Sequence, residues 1–159
     1  MATQNPLQRL DVAADTTGSS VDASDRRIIE VFVAAGTIVA GDCVAFDLSQ
    51  SDNSDKVLKV VQSNKSAGAT ILGVGIALEA ASSGDTVKVC IRGIASANVD
   101  TGVAAGNRLQ VGTTAGRLFV AADIDEGGSA TVNQLPIIAI AVGAESSNLA
   151  DVYVFPQFL

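Results

Sequence analysis

Oxygen-bearing side chains crowd one stretch of the chain, residues 47–55, with the sequence DLSQSDNSD. Carboxylate, amide and hydroxyl oxygens are the ligands that calcium prefers, so this stretch could hold a calcium ion. It lacks the central glycine and the final bidentate glutamate of the EF-hand spacing. We therefore expect a solvated loop, with a calcium site as the less favoured alternative.

A second acidic stretch contains three carboxylates, Asp123, Asp125 and Glu126, followed by two glycines. Paired carboxylates hydrolyse glycosidic bonds when the protein grips the sugar and burial raises the pKa of one of them. A Gly-Gly turn without neighbouring aromatic residues offers neither condition. We expect the tip of a hairpin here, and a carboxylate hydrolase is the disfavoured alternative.

The usual residues of nucleophilic catalysis are missing. The chain of 159 residues has no histidine and no Gly-x-Ser-x-Gly sequence, so it lacks the commonest base and the usual nucleophile turn. A Ser-Lys pair would need one of four lysines that the pattern places on solvent faces: Lys56, Lys59, Lys65 and Lys88. Residues 73–78 begin like a dinucleotide fingerprint, but the third glycine is absent and no helix pattern follows. The sequence predicts a protein that is not an enzyme and binds no cofactor.

Composition narrows the choice of partners. The net charge of −7 repels phosphate backbones, which argues against nucleic acid. There is no tryptophan and one tyrosine, so a stacking platform for sugars is not evident. The longest apolar run, residues 135–144, is too short to span a bilayer. The amino terminus shows no secretory signal, and we expect synthesis in a cytoplasm and no membrane partner.

Two cysteines, Cys43 and Cys90, lie in apolar stretches with no second cysteine nearby. A free cysteine behaves as a small buried apolar residue, and we expect both to be reduced and buried. A disulfide between them stays open at this point.

The elements that must position these residues are strands. Short runs of β-branched and apolar residues alternate with Gly, Asn, Asp and Ser turns, which predicts a mainly β protein, an antiparallel barrel or sandwich. The nine predicted strands cover residues 28–33, 43–47, 56–61, 71–78, 86–95, 107–111, 117–121, 136–142 and 151–155. Small residues alternate in one of them, at Gly73, Gly75 and Ala77, and again at Ala139, Ala141 and Gly143. Such alternation predicts a close neighbour on one face.

The second half of the chain repeats the first. Residues 71–85 align without a gap on residues 137–151, at an offset of 66 that superimposes Glu79 on Glu145 and Asp85 on Asp151. Upstream, residues 36–44 have a counterpart one residue shorter in residues 102–109. Two copies are too few for a solenoid, so the repeat, about 36–89 and 102–155, predicts two similar β units around one core.

The first residues have a different character. Residues 1–25 are rich in Asp, Ser, Thr and Ala, and show neither helical nor strand periodicity. They are typical of an extended arm that cannot fold alone, attached to a single β domain over residues 26–159.

The strings AGTIVAGD (35–42), ILGVGIA (71–77), SGDTVKV (83–89) and RGI (92–94) resemble those of tailed-bacteriophage capsid cement proteins, the small decoration proteins of icosahedral heads. The resemblance covers residues 28–154. It implies a β-barrel or β-tulip body, homotrimers on the outer surface of the capsid, and an amino-terminal arm that ties the trimer to the major capsid protein.

From this resemblance we expect a non-enzymatic virion protein that stabilises an assembled phage capsid. The arm residues expected to bind the capsid are Thr3, Asn5, Pro6, Leu7, Leu10 and Val12. Addition of the arm as a strand to a capsid sheet edge would draw affinity from backbone hydrogen bonds. The alternative is a carbohydrate-binding or host-adhesion module on a virion or cell surface.

Overall fold

The computed structural model describes residues 27–67, 72–121 and 136–155. The strands are β1 Ile28–Ala34, β2 Cys43–Phe46, β3 Lys59–Gln62, β4 Gly73–Ala77, β5 Thr86–Asn98, β6 Arg108–Val111, β7 Leu118–Val120, β8 Ala139–Ala141 and β9 Leu149–Val154, with one helix, α1 Asn53–Leu58, and a 3-10 turn at Lys65–Ala67. Within the described ranges no helix is long and apolar enough to cross a membrane.

Five strands close into a barrel, the first unit. β1 pairs with β3 in parallel and with β5 antiparallel, and the order β1-β3-β2-β4-β5 completes the circuit. The side chains that fill the barrel include Phe32, Val44, Val60, Val87 and Val89. They come from strands rich in β-branched residues, which pack well on a pleated surface.

The second unit repeats this order with β5 as its first strand. Residues 93–98 of β5 pair with β9, and the order continues β9-β8-β6-β7. A parallel bridge between Val99 and Leu118 brings the last strand back to β5. β5 is therefore long because it is the last strand of one unit and the first strand of the next.

The two units share one pairing scheme. In the first unit Val44 pairs with Gly75 and Gln62, and in the second unit Leu109 pairs with Ala139 and Val120. Continuing this correspondence places β6 on β2 at an offset of 65 residues, β8 on β4 at 64, and β9 on the first part of β5 at 63.

The gapless alignment at 66 residues is therefore wrong in register. The backbone N–H of Glu145 donates to the carbonyl of Val103, just as that of Ala81 donates to the carbonyl of Ile38. Val103 is the counterpart of Ile38, so Glu145 matches Ala81 and not Glu79. Asp85 lies in the turn before β5, whereas Asp151 lies inside β9. The connections differ in length between the units, since residues 47–58 correspond to the shorter 112–117 and residues 63–72 to the longer 121–138. A constant offset cannot follow these changes.

The predicted strand over residues 56–61 is also wrong in its first half, where α1 ends at Leu58 and β3 begins at Lys59. Asp52 caps the helix by accepting from the backbone N–H of Ser54 at 2.8 Å. This hydrogen bond satisfies one of the backbone N–H groups that have no partner within the first turn of the helix. It favours a helix where the alternating residues predict a strand.

The small residues of β4 do face close neighbours. A Cβ on Gly73 would lie 2.7 Å from Cys43 Sγ, and one on Gly75 would overlap the carbonyl oxygen of Cys90. The prediction is confirmed at these two positions. It is wrong at Gly143, where a Cβ would meet nothing within 4 Å.

The predicted fold class, a mainly β barrel built from two similar halves, is confirmed. The predicted arm, residues 1–25, lies outside the described residues, and the division into an arm and a single domain stays a prediction.

Candidate functional site

Several residues singled out from the sequence lie outside the described ranges. These are the six arm residues Thr3, Asn5, Pro6, Leu7, Leu10 and Val12, and the carboxylates Asp123, Asp125 and Glu126. Their proposed roles stay predictions.

The first acidic stretch is organised by hydrogen bonds within itself. Asp47 accepts from the backbone N–H and hydroxyl of Ser49, at 3.0 and 2.6 Å, and from Gln50 Nε2. The Ser49 hydroxyl is the main reason why the pKa of Asp47 lies below its usual value. The Ser54 hydroxyl similarly lowers the pKa of Asp52, the helix cap. These carboxylates serve as local caps, as in a structured loop.

The third carboxylate of this stretch, Asp55, forms an ion pair with Lys59 at 3.0 Å. Among the residues that the structure describes, no group of three or more acidic or cysteine side chains is placed to hold a metal ion.

The four lysines considered for a Ser-Lys pair each have another partner. Lys56 Nζ donates to Asn53 at 3.0 Å, and Lys59 contacts Asp55 and Gln50. Lys88 lies 3.6 Å from Glu79, and the Lys65 ammonium lies 5.2 Å from the centroid of the Phe119 ring. They form a hydrogen bond, two ion pairs and a cation–π contact.

Both cysteines are free and buried, as predicted. Cys43 and Cys90 flank Ile76 in a row across β2, β4 and β5, on the outer face of the first unit. Burial raises the pKa of the Cys43 thiol to about 12 and also raises that of Cys90. Thiols held in this way are neutral and unreactive.

This row is buried because the second unit covers it. Cys43, Ile76 and Cys90 belong to the same apolar cluster as Leu109 and Ile138 of the second unit. The backbone N–H of Cys43 donates to the carbonyl of Gly116, which lies between β6 and β7, at 2.7 Å.

A buried carboxylate fixes this junction. Asp42 is 4% exposed and accepts from Gln62 Nε2 at 2.6 Å and from Asn98 Nδ2 at 2.8 Å. It also closes its own turn by accepting from the N–H of Val39 at 2.8 Å. Asn107, its counterpart, closes the same turn by accepting from Ala104 at 2.7 Å.

The sequence comparison finds the Gly-Asp and Gly-Asn turns but not this inter-unit role of Asp42. The structure reveals this role at Gly116, where φ is +76° and a Cβ would lie 2.5 Å from Asp42 Oδ1.

The remaining candidate sites are exposed apolar surfaces. The second-unit outer face is a row across four strands in which Arg108 pairs with Ile140, Ile140 with Tyr153, and Tyr153 with Ile94. Ile140 is 38% exposed, and Val142 beside it is 55% exposed.

A second apolar surface lies in the connection between β2 and β3, residues 47–58, which exposes Leu48, Val57 and Leu58. Exposed apolar surfaces of this kind are typical of protein–protein contacts.

Comparisons with known proteins find a shared fold. No family model matches the chain, and no curated protein matches it. A solved structure with a similar fold is the head fiber gp8.5 N base of bacteriophage phi29. The two are 14% identical, with a TM-score of 0.54 and a match that covers 80% of this chain and 93% of that chain. The chain thus shares its fold with that phage protein.

Proposed function

We propose that this chain is a non-enzymatic structural protein of a phage particle, which binds the outside of the assembled capsid and stabilises it as a cement or decoration protein. The observation that carries the proposal is the fold shared with the phi29 head fiber N base across most of both chains. The sequence resemblance to capsid cement proteins supports the same role, and it adds the major capsid protein and further copies of this chain, as a homotrimer, as partners.

The described side chains fit a scaffold role. Asp42, Asp47 and Asp52 hold turns and the unit junction, and both thiols are buried. These three carboxylates thus stabilise the fold.

Stabilisation of a capsid by such a protein follows from avidity and mass action. A single interface of ordinary size, ~1,600 Å² in total, need not be tight. A trimer that contacts several capsid subunits gains from the effective concentration of its linked sites. Because it binds the assembled lattice and not free subunits, it opposes disassembly.

Binding to heads tests the proposal. The full chain is mixed with undecorated heads of the phage that encodes it, and separately with unassembled major capsid protein, and each mixture is sedimented. We expect the chain to sediment with heads only, and the decorated heads to withstand a higher temperature before releasing DNA. Absence of binding, or equal thermal release with and without the chain, would overturn the proposal.

One observation favours the alternative, a carbohydrate-binding or adhesion module. The rings of Tyr153 and Phe155 lie 6.3 Å apart at the second-unit outer face, and both are half-buried. Aromatic rings at a surface can stack on sugars. Binding to a glycan array that is lost in Tyr153→Ala, together with no binding to heads, would favour this role instead.

A further inference from the structure

The contact between the two units has two different sides. One side is the buried row Cys43, Ile76 and Cys90 on the outer face of the first unit. The other side includes the connection between β6 and β7, where Gly116 bonds to Cys43 and Ser63, and Gly112 accepts from the N–H of Lys65 at 2.9 Å. An interface made of two different surfaces is heterologous.

Each side of this contact has a counterpart on the opposite unit. The pairing scheme places Arg108, Ile140 and Tyr153 where the first unit has Cys43, Ile76 and Cys90. Likewise the connection between β2 and β3, residues 47–58, has the topological position of the connection between β6 and β7, although it is longer and contains α1. One molecule therefore presents a counterpart of the covered row on its second unit, and on its first unit a connection in the position of one that helps to cover that row.

Both counterparts are apolar and exposed. Ile76 is fully buried, whereas its counterpart Ile140 is 38% exposed and the adjacent Val142 is 55% exposed. On the other surface Leu48 is 47%, Val57 60% and Leu58 48% exposed. These are five of the eleven exposed large apolar side chains among the described residues, and they lie on the two surfaces that the internal contact identifies.

We propose that copies of this chain associate head to tail, with the second-unit outer face of one copy packed against the connection 47–58 of the next. The occupant is a second copy because a unit of this same fold already covers the equivalent face inside the chain. A heterologous contact forms a closed ring when its rotation permits, and three copies would give the trimer of the proposed function. The inference rests on the self-association in that proposal and not on head binding.

The test is sedimentation velocity of the full chain at concentrations up to about 0.1 mM, a range that detects contacts with micromolar Kd. Val142→Lys and Val57→Lys each place a charge in one of the two surfaces. We expect each to raise the Kd of association at least about tenfold. The control is Val31→Lys, which is 57% exposed on β1 and lies outside both surfaces; it should associate like the unaltered chain.

Mixing the two variants tests the head-to-tail direction. The Val142→Lys copy keeps its first-unit surface, and the Val57→Lys copy keeps its second-unit face. An equimolar mixture should therefore form pairs that neither variant forms alone, and nothing larger.

The inference is overturned if the unaltered chain is a monomer throughout, or if Val31→Lys weakens association equally. An effect of Val142→Lys without one of Val57→Lys would show face-to-face pairing, which contradicts the head-to-tail contact. A large loss of thermal stability in monomeric Val142→Lys would show that the chain's own residues cover the face.

Head binding separates this inference from the proposed function. A chain that associates but does not bind heads removes the capsid role and leaves the head-to-tail contact. A chain that binds heads but never associates removes the head-to-tail contact and leaves the capsid role.

Discussion

Ile76 and Ile140 occupy the same position in the two units, and yet Ile76 is fully buried while Ile140 is 38% exposed. The difference arises because the second unit covers the outer face of the first, and no described residue covers the outer face of the second to the same extent. Equivalent residues therefore have unequal energetic roles, and this inequality can be measured.

Replacing each isoleucine by alanine should give very different results. Ile76→Ala leaves a cavity between the units and should lower the free energy of unfolding by about 2–5 kcal/mol. Ile140→Ala removes a partly solvated side chain and should cost about 1 kcal/mol or less. Urea unfolding of the two monomeric proteins at low concentration makes the comparison, and equal losses would show that Ile140 is covered.

Asp42→Ala should destabilise the unit junction. It removes the acceptor of the Gln62 and Val39 donors and leaves Asn98 Nδ2 with only the Ala40 carbonyl. The cost is about 1–3 kcal/mol for each donor that cannot find water. The matched control is Asn107→Ala in the equivalent exposed turn, with an expected loss of about 0.5–1.5 kcal/mol. Denaturant unfolding measures both, and a loss in Asp42→Ala no greater than in the control contradicts the junction role.

Gly75→Ala should be poorly tolerated, because its Cβ would overlap the Cys90 carbonyl oxygen, and backbone cannot easily move aside. Overpacking of this kind costs about 1–3 kcal/mol. Gly36 has open space around its Cα, and Gly36→Ala should change stability by less than about 1 kcal/mol. The melting temperatures of the two variants test whether Gly75→Ala destabilises the protein more than Gly36→Ala does.

The buried thiols should make the protein sensitive to alkaline pH. The pKa of Cys43 rises from 9.0 to about 12 on folding, so above pH 9 the unfolded thiol loses its proton while the folded thiol keeps it. Stability contributed by this group is complete below pH 9 and falls as pH rises toward 12, by at most about 1.4 kcal/mol per pH unit.

Cys43→Ala should flatten this fall in a series of urea titrations between pH 8 and 11. In a parallel experiment a thiol reagent at pH 8 should label neither cysteine in the folded protein and both after unfolding. Rapid labelling of the folded protein would contradict the burial of the thiols.

Deleting residues 1–25 should leave the β units folded, with a nearly unchanged melting temperature, because the segment has too few apolar residues to offset the ordering cost of roughly 1–2 kcal/mol per residue. Occupancy on heads should fall, and the heads should become easier to disrupt. Head binding and calorimetry on the same truncated protein measure the two effects. Unaltered head binding, or failure to fold, contradicts an arm that binds the capsid.

The sequence predicts the architecture better than its register. The Gly41-Asp42 and Gly106-Asn107 turns match at their true offset of 65 residues, since the same side-chain bond closes both. The match of β4 with β8 is displaced by two residues. A displacement of two keeps every side chain on its own face of a strand, so alternating small residues such as Gly73 and Gly75 cannot reveal it.

Other features depend on contacts that sequence patterns do not contain. The role of Asp42 depends on Asn98, 56 positions away, and the burial of Cys43 depends on Gly116 of the other unit. Helix α1 depends on a single capping residue, Asp52, and the alternating residues that follow it predict a strand instead. Long-range packing decides each of these, and a single sequence carries no record of it.

The shared strand β5 also sets how the molecule bears mechanical load. Its backbone runs unbroken from Thr86 to Asn98 through both units, so a pull along that direction passes between the units through covalent bonds. The change of partners falls at Gly93, where φ is +112° and pairing passes from β1 to β9. Any force carried from one unit to the other along this strand therefore passes through a single glycine.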